Sequence, residues 1–573
     1  MDQRGVEAVR EAQFPAGSEH LPSRGRGVMI FTGPHAPTPV PETAFTSFVL
    51  EHAGRWTDSV ALVDLAGEAS FTYGELVASV GRVAGALRAR GFGRGDVLAV
   101  LAPNVPQYPV VFHAAASLGG TVVVLNPLDT TEDLLAHLGS AGAVLLVTSE
   151  EQAARAAELV AGSKVREVVV FGQAPGATPF AELLAHNGPA DGPASGPVSG
   201  PVSGPESGAG ASNPVSGPEP VVEVDAASDV VALLHSSGST GRPKGVMLTH
   251  RNMSANVLQT IGGAPLDEGE RVLAVAPFHH AFGLIMVMNA SLRQGATVVT
   301  MPRFDPQGYL QAIQDHRITR LYVVPTIAVL LARSPLVERF DLSSVRTIVS
   351  GGAALDPEIA RLCAERLGCR VGQGYGLTEG LVSFMQVEGS PAGSVGRATP
   401  NIEFKIVDIA TGRALGPGQE GEVLVRGPHV MKGYLDAPQA TREVLEADGF
   451  LHTGDLGRAD ADGELFLVDR IKELIKYKGQ QVSPVELEAV LMTHPKVADA
   501  AVIGVPHEEA SEIPKAFVVV REPVTAQEIM AFVAERVAPY KKVRQVEFID
   551  AIPRTPVGKT ERRSLKERER AAR

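Results

Sequence analysis

A loop rich in small hydroxyl residues and glycine runs from Ser236 to His250, with the sequence SSGSTGRPKGVMLTH. It follows the apolar run VVALLH (Val230–His235), which predicts a buried strand, and it precedes a helical pattern that starts at Asn252. Hydroxyl groups and bare backbone N–H groups bind phosphate oxygens, glycine lets the backbone approach closely, and Lys244 adds a positive charge. The loop is therefore expected to hold a polyphosphate.

This loop is not a Walker A motif, because that motif requires GxxxxGK[ST] and Lys244 follows Pro243 rather than glycine. The only GK[ST] in the chain ends at Thr560, and Pro553 occupies the position of its first motif glycine. A flexible surface turn is the alternative interpretation, since clusters of Gly, Ser and Pro are usually turns. The preceding strand, the lysine and the following helical pattern favour nucleotide binding.

Short apolar runs alternate with helical patterns from Phe71 onward. The runs DVLAVLAP, TVVVLN and AVLLVTS predict strands, whereas the intervening QYPVVFHAAASLG and TTEDLLAHLGSA predict helices. Such alternation is typical of a mainly parallel sheet with helices on its faces, so the predicted fold class is α/β. From about Gly421 short strands and turns indicate a small β-rich subdomain, and after Asp469 the pattern indicates a small α+β domain.

These shifts divide the sequence into three parts. Residues 1–28 are expected to form a disordered extension, residues 29–470 an N-terminal domain, and residues 471–573 a C-terminal domain. Residues 188–220 repeat the pattern GPxSG with almost no large apolar side chain, so they cannot bury enough surface to offset the entropy of ordering. We interpret them as a mobile low-complexity insertion, with a regulatory or docking role as the alternative.

Composition excludes several classes of partner. The chain has 573 residues and a net charge of −13, which argues against a nucleic-acid partner and gives no positive field for an anionic membrane. No run reaches about 18 uninterrupted apolar residues, so no integral membrane segment is predicted. Cys363 and Cys369 are interpreted as buried small residues rather than a disulfide or a metal site. The protein is expected to be cytoplasmic; the oligomeric state is left unknown.

The phosphate loop is similar to the signature of the AMP-forming adenylating superfamily, which includes acyl- and aryl-CoA ligases, firefly luciferase and peptide-synthetase adenylation domains. Further stretches resemble that family's other motifs in the family's order: PFHHAFG (277–283), SGGAAL (350–355), GQGYGLTE (372–379), GEVLVRG (421–427), TGD (453–455), DRIKELIKYKGQQVSPVELE (469–488) and PRTPVGK (553–559). The chain is identified as a member of the family, in its 4-coumarate–CoA ligase-like and luciferase-like branch. The resemblance implies that ATP, Mg²⁺ and coenzyme A serve to convert a small-molecule carboxylic acid to acyl-AMP, with release of pyrophosphate, and then to a thioester.

The resemblance also implies a nucleotide site built from several motifs. Glu379, beside Thr378, resembles the Mg²⁺ carboxylate, and Asp455 resembles the carboxylate that accepts both ribose hydroxyls, with Arg470 on the same side. The β and γ phosphates are implied to bind Ser236, Ser237, Gly238, Ser239, Thr240, Gly241 and Lys244. Adenine is implied to be framed by Gly352, Ala353, Gln373, Gly374 and Tyr375, the last by stacking.

Lysines of the C-terminal part are implied to act at different steps. Lys559 matches the family lysine that bridges the substrate carboxylate and the α-phosphate, although a solvated tail lysine is the alternative interpretation. Lys472 occupies the position of a hinge lysine about which the C-terminal domain swings between adenylation and thioester formation. In the second arrangement the thiol channel is implied to include Lys476, Lys478, Gly479 and Gln481.

The acid is predicted from the motif PFHHAFG. His280 resembles the histidine that closes the acyl pocket until ATP binds, with an ordinary core histidine as the alternative. Phe282 stands where 4-coumarate–CoA ligases carry a tyrosine that can meet a ring hydroxyl, and phenylalanine can neither donate nor accept there. An apolar acid, cinnamate-like or medium- to long-chain fatty acyl, is therefore predicted. Its expected contacts are Ala281, Phe282, Gly351, Leu381 and Val382.

Three other functions are alternatives to an acyl-CoA ligase. A luciferase-like oxygenase is suggested by PFHHAFG and IKYKGQQV, but oxygenation needs a particular luciferin. A stand-alone adenylation enzyme that loads a carrier protein is disfavoured because the amino-acid-binding aspartate expected near Pro277 is missing and Lys472 replaces the usual hinge aspartate. A non-enzymatic scaffold is disfavoured because each matched catalytic position carries a competent residue.

Overall fold

The computed structural model describes residues 29–67, 69–186, 222–236, 244–478, 480–554 and 560–572. The predicted extension (1–28) and the low-complexity insertion (188–220) lie outside these residues. Four β-sheets organise the described chain, and helices connect most of the successive parallel strands. The predicted α/β fold, with large mainly parallel sheets, a β-rich part and a C-terminal α+β part, is confirmed.

Two large sheets of eight and nine strands form the body of the molecule. Their central strands are parallel and read as continuous apolar runs such as VLAVL and LLVTS, because both faces of these strands are buried. The eight-stranded sheet runs in the order Gly433–Tyr434, Lys244–Thr249, Val230–Ser236, Thr121–Val124, Val97–Leu101, Leu145–Ser149, Glu167–Phe171 and Thr178–Pro179. The nine-stranded sheet runs in the order Arg397–Ala398, Leu381–Met385, Arg370–Leu377, Thr347–Ser350, Arg320–Val323, Arg271–Ala274, Thr297–Thr300, Val60–Asp64 and Ser70–Thr72.

Several helices begin at a side chain that satisfies the first free backbone N–H groups. Thr72 and Glu75 form a capping box at one helix, and Thr249 and Asn252 form the same arrangement at the helix after the phosphate loop. The helices are Phe45–Leu50, Tyr73–Ala89, Gln107–Ser117, Thr131–Ala141, Ala153–Ala161, Phe180–Leu184, His250–Gly263, Ser291–Arg293, Pro306–Asp315, Pro325–Arg333, Pro357–Leu367, Pro438–Val444, Pro484–Met492, Ala526–Ala534 and Arg562–Ala572, with a π-helix at Gly283–Ala290.

Two smaller sheets complete the fold. The β-rich sheet is antiparallel, in the order Phe31–Thr32, Glu403–Val407, Gly421–Arg426, Leu451–Ala459 and Leu465–Arg470. Its edge strand comes from the start of the described chain, which the sequence pattern did not indicate. The last sheet contains Gln480–Val482, Ile475–Tyr477, Ser511–Val520 and Val497–His507, with Gln545–Phe548 parallel to Ser511–Val520. All its strands follow Arg470, and the boundary placed at residue 470 stays a prediction.

The phosphate loop is shorter than the sequence suggested. Lys244–Thr249 forms a strand that pairs antiparallel with Val230–Ser236, and these two strands are called the phosphate hairpin. The Gly, Ser and Pro residues before Lys244 dominated the sequence pattern, whereas the alternating burial of the following side chains stabilises a strand. Residues 237–243 lie outside the described residues.

Cys363 and Cys369 are both buried and unpaired, as predicted. Burial raises the pKa of each thiol to about 11, which keeps both in the unreactive protonated form at neutral pH. Across the described ranges, none of the helices has the length and the apolar character needed to cross a membrane.

Candidate active site

A cavity of about 690 Å³ opens where the strands Thr347–Ser350 and Arg370–Leu377 end. These strands are parallel neighbours, and ligands of open α/β sheets bind beyond the carboxyl ends of such strands. The predicted site residues that line the cavity are Ser236, His280, Ala281, Phe282, Gly351, Gly352, Gly374, Tyr375, Thr378, Glu379, Leu381, Val382, Arg470 and Lys472. Residues from five separate stretches of the sequence therefore meet in one place.

Some predicted residues lie elsewhere. The Gln373 side chain bonds within the protein, accepting from Leu355 N at 3.0 Å and donating to Ser394 O at 2.8 Å, and with Ala353 it stays outside the cavity lining. Three exposed side chains of the C-terminal part also stay outside it: Lys476, Lys478 and Gln481. Several predicted residues lie outside the described part of the chain, so their roles stay predictions: Ser237, Gly238, Ser239, Thr240, Gly241, Gly479 and Lys559.

Asp455 is held by two side chains from opposite directions. Tyr375 Oη donates to Asp455 Oδ2 at 2.5 Å, and Arg470 Nε lies 3.2 Å from Asp455 Oδ1. Asp455 and Arg470 are directly paired across two antiparallel strands. Burial, and then the charge of Asp455, raises the pKa of Tyr375 well above its usual range, so the phenol stays a donor. Both oxygens of the buried Asp455 carboxylate are thereby held in place, and the preceding residues Thr453 and Gly454 line the cavity.

Glu379 accepts a hydrogen bond from a tyrosine that the sequence analysis missed. Tyr434 Oη donates to Glu379 Oε1 at 2.8 Å, and Lys244 Nζ lies 4.9 Å from the centroid of the Tyr434 ring. Tyr434 lies in the short edge strand beside the phosphate hairpin and lines the cavity. Its only signal in the sequence is an aromatic residue after Gly433, a pattern that occurs in many packed strands.

A histidine beside the TGD motif joins the nucleotide end of the cavity. His452 Nδ1 lies 3.0 Å from Glu422 Oε2, and His452 Nε2 lies 3.3 Å from Glu446 Oε1. Hydrogen bonding to Glu422 is the main cause that raises the pKa of His452. Glu422 Oε1 also accepts from Gly454 N at 3.1 Å, so this ion cluster fixes the backbone next to Asp455. The motif LHTGD could have drawn attention to His452.

One part of the cavity has an apolar wall. Its lining includes Ala281, Phe282, Met286 and Val349. The Phe282 ring meets the buried Tyr322 ring edge to face, with centroids 6.0 Å apart. A Cβ added at Gly351 would lie 3.1 Å from the Phe282 ring, so glycine provides the space that this ring occupies.

The opposite wall is fixed by one side-chain amide. Asn256 Oδ1 accepts from Val382 N at 3.1 Å, and Asn256 Nδ2 donates to Val382 O at 2.7 Å, so one fully buried side chain satisfies both backbone groups of Val382. Leu381, the preceding residue, has a positive φ of 44°, which is unfavourable for a branched side chain. Its carbonyl packs against Gly376, where a Cβ would lie only 1.9 Å away.

His280 lines the cavity between the two ends. Its Nδ1 accepts from Phe282 N at 3.3 Å, so Nε2 is the ring nitrogen that carries a proton. The adjacent His279 is partly buried, and its removal from water lowers the pKa of His279 to about 3, so that ring is neutral at pH 7. The gating role of His280 stays a prediction.

Lys472 reaches the cavity from a 3₁₀ turn, Ile471–Glu473, that follows the last strand of the β-rich sheet. Burial, and then the nearby Arg470, lowers the pKa of Lys472. The turn is anchored by Glu473, whose Oε2 lies 2.5 Å from Arg562 Nη1, and by the neighbouring Asp469, which accepts from Ser483 Oγ at 2.5 Å.

The arrangement suits transfer of a nucleotide. It combines a carboxylate, Asp455, held by a phenol and a guanidinium, a second carboxylate, Glu379, that shares the Tyr434 side chain with Lys244, and apolar side chains that line the same cavity. Within the described ranges, no group of three or more His, Cys, Asp and Glu side chains is suited to a resident metal ion. A single carboxylate such as Glu379 fits Mg²⁺ that arrives with a nucleotide, because Mg²⁺ is commonly held by one or two carboxylates together with phosphate oxygens.

Two family models match the chain. The model described as AMP-binding enzyme matches residues 49–435, and the model described as AMP-binding enzyme C-terminal domain matches residues 486–559. Among curated relatives, "4-coumarate--CoA ligase 5" of Oryza sativa subsp. japonica is 38% identical over 533 residues, which cover 91% of this chain and 93% of the relative. "4-coumarate--CoA ligase-like 9" of the same organism is 40% identical and covers 94% and 95%.

Solved structures show the same fold. The anthranilate CoA ligase AuaEII in complex with anthranoyl-AMP superposes with a TM-score of 0.80 at 25% identity, covering 94% of this chain and 99% of that chain. ATP-bound MatB from Rhodopseudomonas palustris superposes with a TM-score of 0.78 at 28% identity, covering 91% and 99%. The similarity therefore extends over nearly the whole of both proteins.

Proposed function

Because the chain belongs to the AMP-binding enzyme family and is an AMP-forming acid–CoA ligase, we propose that its acid is apolar. The proposed class is a cinnamate-like aryl acid or a medium- to long-chain fatty acid. The substrates of the two steps are then this acid and ATP, followed by coenzyme A.

The observation that carries this proposal is the wall formed by Phe282 against Tyr322. A phenyl ring at this position offers no partner to a hydroxyl on the distal end of the acid. A buried hydroxyl without a partner loses its hydrogen bonds to water, whereas an apolar ring or chain gains from burial. Met286 and Val349 extend the same apolar lining.

We assign the first step to residues around the cavity and the phosphate hairpin. Asp455 accepts the ribose hydroxyls, with Arg470 and Tyr375 fixing its two oxygens. Ser236, Lys244 and residues 237–241 bind the β and γ phosphates, and Glu379 would hold Mg²⁺. The metal ion, when bound, neutralises phosphate charge as pyrophosphate leaves. Lys559 stabilises the charge that develops when the acid oxygen attacks the α-phosphorus.

We assign the second step to a rearranged C-terminal part. The thiol of coenzyme A attacks the acyl carbon of the mixed anhydride, and AMP leaves. Lys476, Lys478, Gly479 and Gln481 are proposed to line the thiol channel after residues 471–573 swing about Lys472. The exposure of Lys476 and Gln481 outside the cavity is the arrangement expected before such a swing.

The test is a comparison of kcat/KM for cinnamate, octanoate and 4-coumarate, following both release of pyrophosphate and consumption of coenzyme A. The proposal expects cinnamate or octanoate to exceed 4-coumarate by about 10-fold or more, the scale on which a pocket discriminates a hydroxyl. A preference for 4-coumarate would refute the apolar acid. Emission of light with luciferin, without consumption of coenzyme A, would instead favour the oxygenase alternative.

A further inference from the structure

We propose that Tyr434 is a positioning residue that holds the Glu379 carboxylate in the orientation in which it receives the divalent cation of the nucleotide. The inference rests on the proposed function, because the role of Glu379 as the cation carboxylate is part of it. Tyr434 belongs to no motif singled out in the sequence and takes no part in the steps described above.

The Tyr434 side chain joins the two parts of the site that handle phosphate. Its ring is buried, with 7% of its surface exposed, and it lines the cavity. From there its hydroxyl donates to Glu379 Oε1 at 2.8 Å, while the ring carries Lys244 Nζ 4.9 Å from its centroid. One side chain thus contacts both the cation carboxylate and the lysine of the phosphate hairpin.

The backbone around Tyr434 is hydrogen-bonded both to Glu379 and to the phosphate hairpin. Met431 N donates to Glu379 O at 2.8 Å, and Leu435 N donates to Gly245 O at 2.8 Å. Tyr434 itself is paired with Val246 in the antiparallel ladder. The segment from Met431 to Leu435 is therefore tied at one end to the backbone of Glu379 and at the other to the strand that leaves the phosphate loop.

The chemistry of the pair sets the direction of the hydrogen bond. An ionised carboxylate can only accept, so the phenol must donate. Within the described ranges Glu379 Oε2 accepts no hydrogen bond, which leaves one oxygen of the carboxylate for a cation.

Without this hydrogen bond, other cations would compete for the carboxylate. Arg470 and Lys472 both interact electrostatically with Glu379, and both line the cavity on the ribose and hinge side. A carboxylate released from Tyr434 can turn towards these permanent cations. The hydroxyl therefore keeps Glu379 directed to the phosphate hairpin before the nucleotide arrives.

The two contacts of Tyr434 can be separated by substitution. Tyr434→Phe removes the hydroxyl but keeps the ring beneath Lys244, whereas Tyr434→Leu removes both. ATP binding is measured by titration calorimetry without acid or coenzyme A, at stepwise Mg²⁺ concentrations and in EDTA. For Tyr434→Phe we expect an increase of about 10-fold in the Mg²⁺ concentration that gives half of the maximal gain in ATP affinity. Removing the hydrogen-bond partner of a metal ligand typically weakens metal binding on this scale. ATP affinity in EDTA stays at the wild-type value in Tyr434→Phe and falls in Tyr434→Leu.

Turnover supplies a second readout. If the hydroxyl only positions Glu379, saturating Mg²⁺ returns the kcat of Tyr434→Phe to within about 3-fold of wild type. A high Mg²⁺ concentration favours the bound state by mass action and so offsets the free energy needed to orient the carboxylate. A wild-type Mg²⁺ dependence of Tyr434→Phe, or a loss of kcat that Mg²⁺ does not restore, overturns the proposal. Glu379→Gln distinguishes failure of the proposed function from failure of this inference. If Glu379→Gln and Tyr434→Phe both keep the wild-type Mg²⁺ dependence, the assigned role of Glu379 fails. If Glu379→Gln changes the Mg²⁺ dependence and Tyr434→Phe does not, only the role of Tyr434 fails.

Discussion

Tyr375 and Asp455 are joined by a hydrogen bond of 2.5 Å across 80 positions of sequence, with the phenol as donor. Tyr375 lies in the nine-stranded sheet and Asp455 in the β-rich sheet, so the bond ties two sheets together at the nucleotide end of the cavity. The tyrosine was expected to stack on adenine. Its hydroxyl has a separate task, which is to orient Asp455, the carboxylate that we propose accepts the ribose hydroxyls, while the stacking stays a prediction.

Substitution Tyr375→Phe tests that task. The ring is kept, and Asp455 loses one charged hydrogen bond, a contribution of about 1.5–3 kcal/mol. We expect the KM for ATP to rise about 10-fold, with the KM for the acid little changed, in steady-state measurements of pyrophosphate release. Tyr309→Phe is the matched control, because its buried hydroxyl has no partner among the described residues and lies outside the cavity. Equal ATP KM values in both variants would contradict the role of the Tyr375 hydroxyl.

Substitution Phe282→Tyr should move the acid preference towards a hydroxylated ring. The added phenol provides a partner for the distal hydroxyl of 4-coumarate at the apolar wall. The ratio of kcat/KM for 4-coumarate over cinnamate is expected to rise at least about 10-fold. Phe304→Tyr, on a side chain exposed by 40%, should leave the ratio unchanged. A Phe282→Tyr enzyme with the wild-type ratio would show that this wall does not contact the distal end of the acid.

Substitution Asn256→Ala should weaken both the fold and the acyl pocket. It leaves the N–H and C=O groups of Val382 buried without partners, at a cost of about 1–3 kcal/mol for each group. The urea midpoint is expected to fall, and the KM for the acid to rise more than the KM for ATP. Gln311→Ala removes an exposed helical side chain and should change neither quantity. An unchanged acid KM together with lost stability would restrict Asn256 to a structural role.

The ion cluster of His452 predicts a dependence of stability on pH. The pKa of His452 is raised in the folded protein, so the stability it contributes is fully present below the unfolded pKa of about 6.5 and is lost as the pH rises through the higher folded pKa. The thermal midpoint of wild type should therefore exceed that of His452→Gln at pH 6, and the difference should shrink towards pH 9. A difference that grows with pH would mean that Glu422 and Glu446 do not stabilise the imidazolium.

Substitution Arg562→Met should loosen the C-terminal part and its hinge. Arg562 is largely buried and pairs with Glu473 at 2.5 Å and with Glu488 at 2.7 Å, so its removal leaves two acids without their cation. Breaking a buried ion pair from one side costs about 3–5 kcal/mol. Hydrogen exchange should accelerate in the helix Pro484–Met492.

The adjacent arginine is the control for that variant. Arg563 pairs with Glu567 on the exposed face of the last helix, where such pairs contribute at most about 1 kcal/mol. Arg563→Met should therefore leave the exchange of Pro484–Met492 at the wild-type rate. Equal protection in the two variants would mean that the Arg562 cluster does not hold the hinge side of the C-terminal part.

The sequence predicted the features that depend on the pattern of consecutive residues. The strand before the phosphate loop and the helix after it are continuous patterns, and Glu379 lies in the cavity as the motif around it suggested. The partners of these residues could not be predicted in the same way. Tyr434 is 55 residues from Glu379 in the sequence, and Asn256 is 126 residues from Val382. A helical or strand periodicity relates only near neighbours, so it cannot reveal these contacts. The sequence predicted a loop at Lys244–Thr249, because the turn-forming residues before it outweighed a short alternation of polar and apolar side chains.

The strand Phe31–Thr32 has a consequence for how the protein is made. Its partner strand begins at Glu403, and the Phe31 and Phe404 rings stack with centroids 5.0 Å apart. During synthesis the first of these rings therefore leaves the ribosome long before the second, and both large sheets are mostly complete in between. Until Glu403–Val407 is made, the strand Phe31–Thr32 has no partner in this sheet and can pair with other chains. The opening segment of the described chain can therefore dock only late in synthesis, and it then fastens the early part of the molecule to the sheet that carries Asp455.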